Sequence, residues 1–356
     1  MEEALVATTP EKVAPNGSSC DWKTIAKERL DSLTKPVGSL GRLEEIAARM
    51  VCIQQREQPR CERKIAYVLA ADHGVTEEKV SAYPKAVTEQ MVRNFLANGA
   101  AINVLARRAG AEVVVVDVGV DADLEAHPQL VQKKIRRGTR NMTVEPAMSE
   151  AEIDAALDVG RSLLRELPLS KGQIIAVGEM GIGNTTAAAA ITAVLTGRSV
   201  KEVTGLGTGI SSEMLPHKQR VIERALRLHV LSSAGPLEIL RKVGGLEIAA
   251  MTGMILAARD RGIAVVMDGF ISTAAAALAY AIDPTVAAII FAGHLSRERG
   301  HHLLLDYIGL DPILDLGMRL GEGTGAVLAM MVIEAALAVF NEMATFSSAG
   351  VSGPHA

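Results

Sequence analysis

Three glycine-flanked stretches carry the side chains most able to do chemistry. In "RLGEGTG" (319–325) one carboxylate, Glu322, stands between Gly321 and Gly323, three residues after Arg319 and directly before a long apolar run. A carboxylate there can take a proton from a substrate that the glycines let come close. It can equally cap the helix that follows, a contribution of roughly 0.3–1 kcal/mol. In "GEMGIGNTT" (178–186), Gly178, Gly181 and Gly183 permit a tight turn, and Asn184, Thr185 and Thr186 cap a helix start, where free N–H groups and hydroxyls suit a phosphate. The spacing matches neither a Walker loop nor GxGxxG, so an ordinary strand-to-helix turn also accounts for it. In "GLGTG" (205–209) a third flexible segment precedes Lys218, which is either an anion ligand or a solvated helix lysine.

Other polar residues gather after apolar runs: Asp72 and His73, Asp268 and Gly269, Gly293 with His294 and Ser296. His294, His301 and His302 lack HExxH or Cys/His spacing, so no metal is expected. No cofactor is expected either.

The elements that must position these residues follow from periodicity. Five short apolar runs read as buried strands: "KIAYVLAADHG", "AEVVVVDVGV", "GQIIAVGEMG", "GIAVVMDGF" and "AAIIFAGH". Helical stretches alternate with them, among them "TEQMVRNFLANGAAINVLARRA" and "SEAEIDAALDVGRSLLREL". Alternation of this kind predicts an α/β fold, a Rossmann-like, mainly parallel sheet flanked by helices. In such sheets ligands bind beyond the carboxyl ends of the strands, where the polar residues above fall. The chain divides into a flexible tail (1–20), the N-terminal part of a smaller helical lobe (21–60), an α/β core (61–320), the C-terminal part of that lobe (321–345) and a second tail (346–356).

Composition narrows the class. The 356 residues are 49% hydrophobic but only 3% aromatic, with a formal net charge of −4. The core must be built from Ala, Val, Ile, Leu and Met, and mild acidity disfavours a nucleic-acid surface. The basic run Lys133, Lys134, Arg136 and Arg137 reads as solvated charge or a small-anion contact. Three cysteines (Cys20, Cys52, Cys61) without CxxC spacing fit a reducing cytoplasm, and no signal peptide is evident. "AVLAMMVIEAALAVF", interrupted by Glu334, reads as a buried helix and not a membrane span.

Seven motifs in fixed order then carry a resemblance: "TKPVGSLGRLE", "ADHGVTEEKVSAYP", "GEMGIGNTTAAAA", "KVGGLEIAAMTG", "MDGF", "GHLSRERGH" and "MRLGEGTGAVLAM". From about residue 24 to 345 the chain resembles the nicotinate-nucleotide:5,6-dimethylbenzimidazole phosphoribosyltransferase family. The resemblance implies transfer of phosphoribose from nicotinate mononucleotide to a lower-ligand base such as 5,6-dimethylbenzimidazole. The products are the α-ribotide and nicotinate, in cobamide nucleotide-loop assembly. It also implies a homodimer with sites near the interface. Glu322 falls on the family's catalytic base and Glu179 on a second functional carboxylate. Nucleotide contacts fall on Gly181, Gly183, Gly207, Lys218, Gly269, Gly293, Arg319 and Gly321. The base pocket falls on Tyr83, Met91, Met180 and Phe270, with Leu320 at its edge. A relative preferring phenols, one acting with a paralogous subunit, and a non-catalytic nucleotide-binding subunit are the competing readings.

Overall fold

The computed structural model describes residues 21–168, 172–231 and 233–353. The segment 1–20, expected to be a flexible tail, lies outside the described residues, and Cys20 with it.

The five apolar runs form strands β1 (Arg63–Ala71), β2 (Glu112–Gly119), β4 (Gln173–Met180), β5 (Ala264–Met267) and β6 (Ile290–His294). Two three-residue strands complete the sheet, β3 (Leu130–Gln132) and β7 (Pro312–Leu314). All pairings are parallel, in the order β3-β2-β1-β4-β5-β6-β7. The middle strands are buried on both faces, so they read as continuous apolar runs without alternation. β3 and β7 escaped the sequence reading because each is a short edge strand, and β7 opens with a proline tolerated only at such an edge. The fold class is therefore the expected α/β, a parallel sheet flanked by helices.

One expected helix is two. "TEQMVRNFLANGAAINVLARRA" breaks into Val87–Leu96 and Ala101–Ala109, because Asn98 takes φ 61° between them.

Each face of the sheet has its own core. On one, helix Glu150–Arg165 lies so close to helix Leu246–Arg261 that a Cβ on Gly160 would sit 1.9 Å from the Ala250 carbonyl oxygen. On the other, helices Trp22–Ser32, Arg42–Gln54, Ala101–Ala109 and Thr324–Glu342 close over β1, β4, β5 and β6. The two chain ends are tied there: the Arg29 guanidinium donates to the carbonyls of Phe340 at 3.0 Å and Met343 at 2.9 Å. The terminal helices thus cover the sheet as well as each other, and a short helix, Phe346–Ala349, begins in the C-terminal segment. Helix Thr324–Glu342 is long and apolar enough to cross a membrane, but 56% of it is buried in the fold.

Candidate active site

The site is built where β4, β5 and β6 end. The segment before helix Thr324–Glu342 places three consecutive residues in the left-handed region: Gly321 (φ 88°), Glu322 (φ 66°) and Gly323 (φ 89°). Glycine adopts this freely, whereas a residue with a Cβ is strained by about 1–2 kcal/mol. Asp268, just beyond β5, holds the turn. Its Oδ2 accepts from the Gly323 N–H at 3.0 Å, and its Oδ1 from Gly325 at 2.7 Å and Ala326 at 3.2 Å. His294 Nε2, from the end of β6, lies 3.6 Å from the same carboxylate.

This arrangement bears on the two sequence readings of Glu322. The anion at the helix N-terminus is Asp268, so Glu322 is not needed as a cap. Glu322 is instead buried in the cleft wall, with its Oε2 lacking a hydrogen-bond partner among the described residues. Burial, and then the nearby Asp268 charge, push its pKa from 4.5 up to about 7. A glutamate so placed holds its proton below neutrality and accepts one above it.

At the end of β4, Glu179 is buried and receives a hydrogen bond from the Asn184 amide. Burial, followed by the Glu247 and Asp268 charges, raises its pKa to about 8. The turn then passes Gly181, where a Cβ would be 2.3 Å from the Ala71 carbonyl oxygen. It reaches Gly183 (φ 98°), which begins helix Asn184–Thr196 without a side-chain cap. Asn184, Thr185 and Thr186 are thus in the helix, not ahead of it as caps. Behind the turn His73 Nε2 meets Glu247 Oε1 at 2.6 Å, both fully buried.

The third wall carries positive charge. Lys218, from helix Leu215–His229, is almost wholly buried and donates to Thr185 Oγ1 at 2.8 Å. Burial lowers its pKa to about 8. Arg319 Nη1 donates to the Gly207 carbonyl at 2.8 Å, pinning the 205–209 loop over the lysine. Gly207 is tight here, since a Cβ would sit 3.0 Å from Lys218 Nζ.

A single cleft of about 630 Å³, including its open mouth, collects these groups. Glu179, Met180, Gly181, Gly207, Gly269, Phe270, Arg319, Leu320, Gly321 and Glu322 line it. Lys218 lies beneath Thr185 and Gly207. Gly183 and Gly293 sit behind the wall: a Cβ on Gly293 would meet the Met267 carbonyl oxygen at 2.5 Å. Tyr83 and Met91 are outside the lining. Tyr83 is 52% exposed, on a turn whose Ser81 hydroxyl meets Thr208 at 3.3 Å. Met91 packs against the second core from a helix whose Thr88 hydroxyl accepts the Ile182 N–H at 3.1 Å.

The site also holds Asp268, Thr185, His294 and Glu298. The first three stood out in the sequence at strand ends or the helix start, but without an assigned role. Glu298 lies within "SRERG", where nothing marks it.

A cleft at the carboxyl ends of a parallel sheet, with a glycine turn, buried lysine, arginine and a poised carboxylate, suits group transfer on a phosphorylated sugar. Accordingly, residues 17–351 match the phosphoribosyltransferase family model. The chain is 54% identical to the nicotinate-nucleotide–dimethylbenzimidazole phosphoribosyltransferase of Chloroflexus aggregans, over 92% of this chain and 93% of that one. The enzyme of the same name from Geotalea uraniireducens is also 54% identical, with the same coverage. A crystal structure of that enzyme from Thermus thermophilus superposes with a TM-score of 0.88 at 48% identity, over 94% of this chain and 99% of the other. The chain belongs to the nicotinate-nucleotide–dimethylbenzimidazole phosphoribosyltransferase family.

Proposed function

We propose that this protein transfers the phosphoribosyl group of nicotinate mononucleotide to 5,6-dimethylbenzimidazole or a similar base, giving the α-ribotide and nicotinate for cobamide assembly. Glu322 carries the reading: a buried carboxylate with one oxygen free of hydrogen bonds to the described residues and its pKa raised to about 7, in the wall of a cleft that also offers cationic anchors.

In the reaction, one ring nitrogen of the base attacks the ribose anomeric carbon from the face opposite nicotinate. The new C–N bond forms as the old one breaks, and its electron pair returns to the nicotinate ring nitrogen. That nitrogen is cationic in the donor, so nicotinate leaves readily. The N–H proton of the attacking base passes to Glu322. Inversion accounts for an α product from a β donor. Lys218, Arg319 and the glycine turns hold the anionic nucleotide. Fixing two flat molecules on either side of one carbon can lower the barrier by about 7–11 kcal/mol.

The acceptor would lie along Met180, Phe270, Ile271 and Leu320, all lining the cleft. An apolar wall discriminates by only about 1–3 kcal/mol per methylene, so several benzimidazoles should serve. Leu320, 56% exposed in the cleft lining, Leu206, 41% exposed next to Gly207, and Tyr83 beside the cleft support a homodimer that covers the mouth. Free Cys52 and Cys61 support a cytoplasmic setting.

The test is an assay of the purified protein alone, offering nicotinate mononucleotide with dimethylbenzimidazole, adenine, phenol and p-cresol in turn. The α-ribotide of dimethylbenzimidazole is the expected product. Turnover with phenols alone, or none without a second protein, would overturn the reading.

A further inference from the structure

Three carboxylates line the cleft: Glu179, Glu298 and Glu322. Two are accounted for. Glu179 is hydrogen-bonded to Asn184, and Glu322 is the base proposed above. Glu298 has no such role. It is 7% exposed, and its Oε2 is buried with no hydrogen-bond partner among the described residues. That oxygen packs on Gly205, where a Cβ would come within 2.2 Å of it. The Lys218 charge acts on it only at a distance, since Lys218 Nζ donates to Thr185. A buried carboxylate oxygen lacking a donor is costly to the folded protein, and a ligand that supplies one relieves that cost.

The chemistry of the nucleotide says which donors those are. Once its phosphate is ionised, nicotinate mononucleotide has acceptors everywhere except at the ribose 2′- and 3′-hydroxyls. The other available donor, the N–H of the incoming base, goes to Glu322. An acidic side chain on ribose hydroxyls beyond the carboxyl end of a strand is also a recurring solution in doubly wound sheets. Glu298 lies four residues beyond β6, next to Ser296, which lines the same cleft.

We propose that Glu298 is a ribose-recognition residue, its carboxylate accepting from one or both ribose hydroxyls and so selecting ribo- over deoxyribonucleotides. The proposal rests on the donor being nicotinate mononucleotide, as above.

Calorimetry of nicotinate mononucleotide and its 2′-deoxy and 3′-deoxy analogues, on wild type, Glu298→Gln and Glu298→Ala, tests it. Hydrogen bonds to a charged group of this kind predict that both variants bind the ribonucleotide about 10- to 100-fold more weakly. The analogue lacking the contacted hydroxyl should bind wild type as weakly, and the substitutions should change its affinity less than about threefold. Equal losses on all three nucleotides would show that Glu298 acts only as a counter-charge or packing group, and would overturn the proposal. So would unchanged binding in both variants. Wild-type turnover, measured alongside, separates the two claims: a nucleotide that binds but is not transferred refutes the activity and leaves the hydroxyl comparison decisive.

Discussion

Two helices in this molecule begin alike and are used differently. Helix Asn184–Thr196 follows "MGIG" and helix Thr324–Glu342 follows "LGEG". In each, a left-handed glycine (φ 98° at Gly183, 89° at Gly323) occupies the N-cap position and offers no side-chain cap. At the second, Asp268 reaches across from β5 and takes three backbone N–H groups. At the first no acid stands in the opening turn. The Asn184 side chain goes to Glu179 and Thr185 to Lys218. The same strand–glycine–helix device is thus an anchor where the protein supplies the anion. It is open to a ligand's anion where the protein does not. The anchored end holds Glu322 in a strained backbone conformation, and the open end suits the nucleotide phosphate.

That contrast can be broken at several points. Replacing Glu322, the proposed proton acceptor held at the anchored end, has the largest expected effect. Glu322→Gln should lower turnover about 10²- to 10⁴-fold, while thermal unfolding and nucleotide affinity stay near wild type. Near-normal turnover would remove Glu322 from the mechanism.

Releasing the anchor itself comes next. Asp268→Ala leaves three N–H groups without their acceptor and His294 without its neighbour, a loss of about 3–5 kcal/mol by analogy with broken buried pairs. Denaturant titration should show it, and turnover should fall with it because the Glu322 turn loosens. An unchanged midpoint would mean that the glycines alone define this turn.

Making the open end resemble the anchored one is a milder change. Thr185→Asp places a carboxylate where the phosphate is expected, beside Lys218. Nucleotide affinity by calorimetry should fall at least about tenfold, with little loss of stability because acids are favourable in a first helical turn. Unchanged affinity would put the phosphate elsewhere. Lys218→Ala has the smallest effect of the set. It should raise the nucleotide's dissociation constant about tenfold, the scale of one charged hydrogen bond, and leave the rise of turnover through about pH 7 intact.

What the sequence disclosed follows the same physics. β1, β2, β4, β5 and β6 were legible because buried parallel strands are long apolar runs. β3 and β7 were not, because three residues at an edge leave no pattern. Motif order brought Glu322, Glu179, Lys218 and Arg319 into one reading, and the structure gathers all four around one cleft. The partner of the Glu322 turn was hidden: Asp268 is 54 residues away in the chain from Glu322, and its aim at Gly323, Gly325 and Ala326 depends on the β5–helix packing. Glu298 gave no signal for a similar reason. "SRERG" looks like a solvated charge run until the fold buries one of its acids.

The central claim, that Glu322 is the base and is tuned by burial beside Asp268, is tested most directly by the pH dependence of kcat/KM for nicotinate mononucleotide with dimethylbenzimidazole. A carboxyl group must be ionised to accept a proton, so the rate should rise with pH through an apparent pKa of about 7. Glu322→Gln should lose that limb and leave only a low rate. A wild-type limb at the ordinary carboxyl range near 4.5, or one that persists at about 7 in the Gln variant, would contradict the account.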